Sequence, residues 1–196
     1  MHNTPRRANK GETGQSFVEL SLVIIFLLIF VAGIVEFGFM LNNYLNLVDA
    51  SREAVRFSSN FDPFNIDGSL DPGFFIQTGE LTEQVLEPLE LDPTLGDDIV
   101  ITFFSVGGGV YERYPNNDGW SVYGNKVSQI SNAEVQSRLD NSAPPTGVLL
   151  VEIYYNYPHV LGLPLFTVFV RDPMPVYVYA IMPLPAAEPV LPTPTP

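Results

Sequence analysis

"GQSFVELSLVIIFLLIFVAGIVEFG", Gly14 to Gly38, is the stretch from which the rest of the chain is read. Leu20 to Val35 is sixteen residues without a charge, about 24 Å of α-helix. A bilayer core needs roughly 20 apolar residues, so a span must run past at least one of the glutamates that bound the stretch, Glu19 and Glu36. Phe17 to Leu41 is long enough, at about 37 Å. It sets the two glutamates near opposite interfaces, where snorkelling lowers their cost. A carboxylate at the centre of a membrane helix costs on the order of 3 kcal/mol, and a segment that served only as an anchor would need neither.

Charge orients the span. Arg6, Arg7 and Lys10 precede it, while Asn42 onward carries six basic and nineteen acidic residues. The excess of basic residues before the helix puts the N-terminus in the cytoplasm and the body outside, as a single-pass protein. An acidic body repels phosphate backbones, which argues against nucleic acid as a partner. The 196 residues, 46% of them hydrophobic, suffice for the span and one domain with a real core. Cysteine is absent, so disulfides, thiol catalysis and cysteine-based zinc sites are excluded.

Three processing routes fit the N-terminus. A secretory signal cut after the small residues of Val31-Ala32-Gly33 is one, although Glu19 sits awkwardly where its apolar run begins. An uncleaved anchor with snorkelling glutamates is the second. The third accounts for the glutamates. Gly14 is followed by Gln15, and Glu19 is fifth counting from Gln15, the layout of type IV pilin precursors. With "VEFG" at Val35 to Gly38 and "ASREAVR" at Ala50 to Arg56, the segment from Gly14 to about Ser59 resembles the TadE-like family, pilin-like proteins of tight-adherence (Tad or Flp) pilus systems. It departs from the family's frequent pattern at Ile25, where a proline is common, at Leu20, where phenylalanine is common, and in lacking an outer-domain cysteine pair.

The resemblance implies a non-catalytic minor pilin or pseudopilin. A prepilin peptidase would cut between Gly14 and Gln15, where glycine lets a protease approach the backbone. The leader, Met1 to Gly14, would stay in the cytoplasm. Glu19 would pair with the new α-amine of Gln15, on its own chain or a neighbour, and set the register between subunits. Glu36, Phe37 and Gly38 match a family motif, with Glu36 read either as a snorkelling edge residue or as a polar contact to another subunit. The implied partners are the bilayer, the peptidase, and other pilins and pilus assembly proteins, with entry into the fibre left open. The competing reading is a membrane-anchored extracytoplasmic binding domain outside any filament.

The expected fold is α+β: leader 1–14, a transmembrane and extended helix 15–59, an extracytoplasmic domain 60–182 with a small, mainly antiparallel sheet and short helices, and a proline-rich disordered tail 183–196. Leu41, Tyr44, Leu45, Val48 and Val55 recur at near-helical spacing beyond the membrane, with Asp49/Arg52 and Glu53/Arg56 as pairs three apart on the polar side. Asn60 to Gly79 reads as a loop and Glu80 to Leu89 as a short helix with Leu81, Val85 and Leu89 on one side. Strands are expected at Asp98–Val106, in a hairpin of "VYERY" and "WSVYG" around "PNNDG", at Gly147–Tyr157 and at Val176–Met182. In Gly147–Tyr157 the odd positions Leu149 to Tyr157 share a face, with Glu152 and Asn156 on the other. Ser131 with Glu134 forms a capping box for a helix to Asp140. Val160 to Val170 is apolar but too short to span, and reads as a buried segment or an exposed contact surface.

No active site is legible. His2 would leave with the leader, and His159 is the lone histidine of the body, which excludes a His-pair metal site. "GWSVYG" lacks nucleophile-elbow spacing. "NIDG" (Asn65 to Gly68) fails as a calcium loop because its first and last ligand positions fall on Pro63 and Phe74. Asp62, Asp67 and Asp71, and Asp97 with Asp98, read as solvated loop charge, with weak calcium binding as the alternative. "GGG" at Gly107 to Gly109 is not followed by Lys-Ser/Thr and makes no phosphate loop. Neither cofactor nor metal is expected.

Overall fold

The computed structural model describes residues 12–107, 109–139, 144–162 and 170–189. Its first element, α1 (Glu12–Ser58), is a single helix of 47 residues, about 70 Å long, with no proline to interrupt it. Among the described residues it is the one helix long and apolar enough to cross a membrane, and none of its most apolar window is covered by the rest of the chain.

The character of α1 changes at Glu36. From there a stripe of Glu36, Leu47, Ala50, Ser51, Ala54, Val55 and Ser58 is buried, with Met40 and Val48 packed at its margin. The recurrence every three or four residues keeps one face on the domain. This stripe differs from the expected one. Val48 and Val55 belong to it, but Leu41, Tyr44 and Leu45 are exposed. Small residues own the contact because they let α1 lie close on α2 and on strands β4 and β5 described below, whereas a count of bulky residues picks the opposite side. The expected ion pairs form on the solvent face, Arg52–Asp49 at 4.0 Å and Arg56–Glu53 at 2.5 Å.

The second helix is longer than expected. α2 (Pro72–Leu86) starts eight residues before Glu80, inside the stretch read as loop. Asp71 caps it, its Oδ1 accepting the Gly73 N–H at 2.8 Å, and Pro72 takes the first helical position, where no donor is needed. The same Asp-Pro-Gly composition that signals a loop is here a helix start. The helix stops at Leu86, before Leu89, because Pro88 disfavours helical backbone at Glu87. Its buried face is Phe74, Phe75, Thr78, Gly79, Thr82 and Leu86, while Leu81, Val85 and Leu89 are only partly covered.

Five strands form one antiparallel sheet: β1 (Asp98–Val106), β2 (Val110–Tyr114), β3 (Trp120–Ser121), β4 (Thr146–Tyr157) and β5 (Met174–Pro183), in the order β2-β1-β4-β5 with β3 also on β1. The α+β class holds. Register rows such as Ile101↔Val151↔Ala180 and Ile99↔Ile153↔Val178 line the face under α1 and α2, as the alternation in β4 predicts. Phe103 is the hub of this core, within 6 Å (ring centroids) of Phe64, Phe74, Phe75 and Tyr114. The other face carries Phe104, Val148 and Leu150, covered by Ile130 and by Val135 of α3 (Asn132–Arg138). Ser131 caps α3, accepting the Glu134 N–H at 3.2 Å.

The expected hairpin is not formed. β2 and β3 both pair with β1, Phe103↔Tyr114 and Ile101↔Trp120, as two halves of one edge strand interrupted by residues 115–119. β1 is long enough to offer both halves an edge, so β3 continues along it where a hairpin would have turned back on β2. Gly119 makes the return, at φ +78°, where an added Cβ would lie 2.5 Å from Thr102 Oγ1.

The chain beyond β5 also departs from expectation. Leu184 and Ala187 are buried, and the Leu184 N–H donates to Gly147 O at 2.8 Å. Gly147 allows this approach, because a Cβ there would stand 2.1 Å from Leu184 O. Leu184 is apolar and reaches the core, so the chain stays packed on the domain past Pro183; residues 190–196, like 1–11 of the leader, lie outside the described residues. So do 163–169 of the apolar run, Gly108 of the glycine triplet, and Asp140.

Candidate functional site

Two groups on α1 carry the candidate residues. At its head, Gly14, Gln15 and Glu19 are all exposed. Gln15 and Glu19 are one turn apart, and the Gln15 amide donates to Glu19 Oε1 at 3.0 Å. A Cβ added at Gly14 would meet nothing within 4 Å, so nothing in the packing calls for glycine there. The same is true of Gly38, and Phe37 beside it is 58% exposed. Phe37 also borders a recess between α1 and the domain, opposite Tyr157 and Val170.

Glu36, by contrast, is buried, and its carboxylate accepts three hydrogen bonds from one loop: Tyr157 Oη at 2.8 Å and the Val160 N–H at 2.9 Å on Oε1, and the Leu161 N–H at 2.9 Å on Oε2. β4 ends at Tyr157 and the chain turns there, aiming two consecutive backbone donors at the helix. Charge-assisted bonds of this kind are about twice as strong as neutral ones. Neither reading made from the sequence, interface snorkelling or contact with another subunit, describes this arrangement. Glu36 fastens the membrane helix to its own domain, and the partner lies over a hundred residues away in sequence, where no local pattern shows it.

His159 belongs to the same loop. Its ring Nε2 is 3.3 Å from Arg171 O and its N–H donates to Asp172 Oδ1 at 3.3 Å. The polar groups near it, Tyr157 and Glu36, are bonded to each other. Among the described residues no group of three acidic or histidine side chains is placed to hold a metal.

The acidic loops serve the backbone. Asp98 is fully buried and accepts from the N–H groups of Ile99, Tyr123, Asn125 and Lys126 and from Ser121 Oγ. Asp97 receives the N–H groups of Asp92 and Asn156. Asp62 and Asp67 close turns on Phe64 and Ser69. These oxygens are already engaged, which leaves the calcium alternative little to bind with. Glu152, on the face of β4 opposite Leu149 to Tyr157, is buried on the second face of the sheet. It accepts from Gln129 N–H at 2.9 Å and Tyr177 Oη at 2.7 Å.

Several tyrosine hydroxyls therefore sit against carboxylates. Burial first, and Glu112 second, push Tyr114 up to about 12. Burial with Glu36, Glu83 or Glu152 raises Tyr157, Tyr123, Tyr154 and Tyr177 further. Because the folded values lie above the ordinary value near 10, the stabilisation is complete below about pH 10 and is lost as pH rises towards 12 and beyond. Phenolate absorbance during an alkaline titration is expected to rise late and together with unfolding. A smooth titration of most tyrosines near their ordinary value in a chain that remains folded would contradict these pairings.

No curated protein and no solved structure matches the chain. One family model does: that of TadE, described as TadE-like protein, matches residues 14–56. The match runs from the glycine at the head of α1 to the arginine that ends its third motif, and takes in Glu19 and Glu36 on the way. Over these residues the chain is similar to TadE-like proteins, and they lie in the one described helix long and apolar enough to cross a membrane.

Proposed function

We propose that the protein is a minor pilin or pseudopilin of a tight-adherence pilus system, a non-catalytic subunit freed of its leader by a prepilin peptidase between Gly14 and Gln15. The domain from residue 60 onward would then stand outside the membrane, with the N-terminus in the cytoplasm. The observation that carries this reading is the Gly14–Gln15–Glu19 spacing at the head of a helix matched over 14–56. Glu19 is exposed and one turn from Gln15, within reach of an amine created at that residue or at its counterpart on a neighbour. A second support is the uncovered face of α1. Leu41, Tyr44 and Leu45 follow helical spacing, are all exposed, and offer a continuous surface to helices of other subunits.

The deciding experiment is the N-terminus of the protein extracted from membranes of its native host. A start at Gln15 is expected. A start at Met1 would leave a plain anchor, and one near Ile34 a secreted protein; either overturns the proposal. Once processing is established, Glu19→Ala is expected to leave the membrane-bound amount unchanged while recovery with other pilus subunits falls by about tenfold or more. Loss of a buried charge partner costs several times the roughly 1.4 kcal/mol that a factor of ten represents. Unchanged recovery would favour the competing reading, a binding domain outside any filament.

A further inference from the structure

We infer that the domain makes a second contact with the bilayer, in which the exposed Val160, Leu161 and Val170 and the recess between Val170 and α1 take up acyl chains of phospholipids in the leaflet on the domain's side. The inference rests on α1 spanning the membrane, and not on entry into a pilus.

The level of the loop is fixed by Glu36. A hydrocarbon core about 30 Å thick, counted from Phe17, ends beside Glu36, which lies about 28 Å further along the helix. The loop after β4 is bonded to that same carboxylate through the Val160 and Leu161 N–H groups. It is therefore held at the membrane boundary, and the direction of the chain agrees. β5 starts at Met174 beside this loop and ends near Ser59, where Met182 Sδ lies 3.8 Å from Ser59 Oγ at the other end of the domain.

What the loop presents there is apolar. Val160, Leu161 and Val170 are exposed at 57%, 37% and 38%. Between the loop and the helix lies a recess of about 380 Å³ lined by Gly33, Phe37, Met40, Tyr157, Val170 and Met174 together with the capped Glu36 and His159. Half-buried Gly33 and exposed Phe37 follow Phe30 and Ile34 along α1, so with α1 across the membrane the recess opens from its lipid-facing surface. An acidic body gains nothing from an anionic surface, which makes apolar insertion the available mode of contact.

The chain has no cysteine, so a single substitution carries a single nitroxide label. The full chain would be placed in nanodiscs of phosphatidylcholine and phosphatidylglycerol with a label at Leu161→Cys, and collisions with oxygen and with a water-soluble nickel chelate compared. Leu161 joins the Glu36 bond through its backbone, so the substitution leaves that bond intact. Ile66→Cys, a fully exposed position in the loop after α1, reports water, and Leu27→Cys reports the span. Oxygen is expected to prevail at Leu161 and Leu27 and the chelate at Ile66. If the chelate prevails at Leu161 while Leu27 remains in lipid, the second contact is refuted and the span stands. A label at Leu161 shielded from both reagents would mean that protein, such as a second copy, covers this loop, and would overturn lipid as its contact. Chelate access at Leu27 would refute the span and this inference together.

Discussion

Asp98→Ala is expected to lower the stability of the domain by about 4 kcal/mol or more and to release residues 121–126 from the sheet. The carboxylate is fully buried and receives five donors, four of them backbone N–H groups. Alanine leaves these donors without an acceptor, and each unsatisfied buried group costs about 1–3 kcal/mol. Some of the loop will swing out to water and recover part of that, which is why the total stays below the sum. Chemical denaturation of the purified chain in detergent is the measurement. Asp98→Asn separates charge from shape: it keeps one acceptor oxygen and should fall between wild type and alanine. A change below about 1 kcal/mol for alanine would mean that the five bonds are replaced by solvent, and that this aspartate does not organise the loop.

Glu36→Ala is expected to free the loop after β4 from α1, at a cost of about 3 kcal/mol. The Tyr157 hydroxyl is buried at 2% exposure and loses its acceptor, while the Val160 and Leu161 amides lose a charged one. Amide hydrogen exchange reads this locally: protection of Val160 and Leu161 should drop by about a hundredfold for a loss of that size. Glu36→Gln keeps one carbonyl oxygen and should lose less. Val178, at the core of the sheet, should keep its protection in both variants, because the contact between α1 and the sheet continues through Leu47, Ala50 and Val55. Protection unchanged at Val160 and Leu161 would show that Glu36 contributes nothing to docking and would return it to the role of an edge residue.

How far the sequence could be read depended on whether the deciding partner was local. α1, the cap at Ser131 and the alternation in β4 are set by neighbours within a few residues, and all three are found where their patterns place them. The start of α2 was missed for a different reason. Asp71-Pro72-Gly73 favours a turn and a helix N-terminus alike, and Phe74 and Phe75, buried against Phe103, tip the balance from elsewhere in the fold. The same holds for β3, whose pairing is chosen by the free length of β1. At the candidate site the glutamates were visible because charge is conspicuous in an apolar helix. The partner of Glu36 was not, since it consists largely of backbone amides, which every residue but proline carries. The position of Glu19 was legible as a spacing, and its role remains with the proposal above.

The absence of a break in α1 has a mechanical consequence. Span and domain support are one rod, and the part from Glu36 to Ser58 rises about 33 Å with the sheet fastened along it. Transmembrane helices tilt by about 20° on average to match bilayer thickness. With no hinge to absorb it, such a tilt displaces the far end of the domain sideways by about 11 Å. A small change in the lipid surroundings is thereby turned into a large change in where the domain's outer end meets its neighbours, and copies in one patch of membrane would lean together.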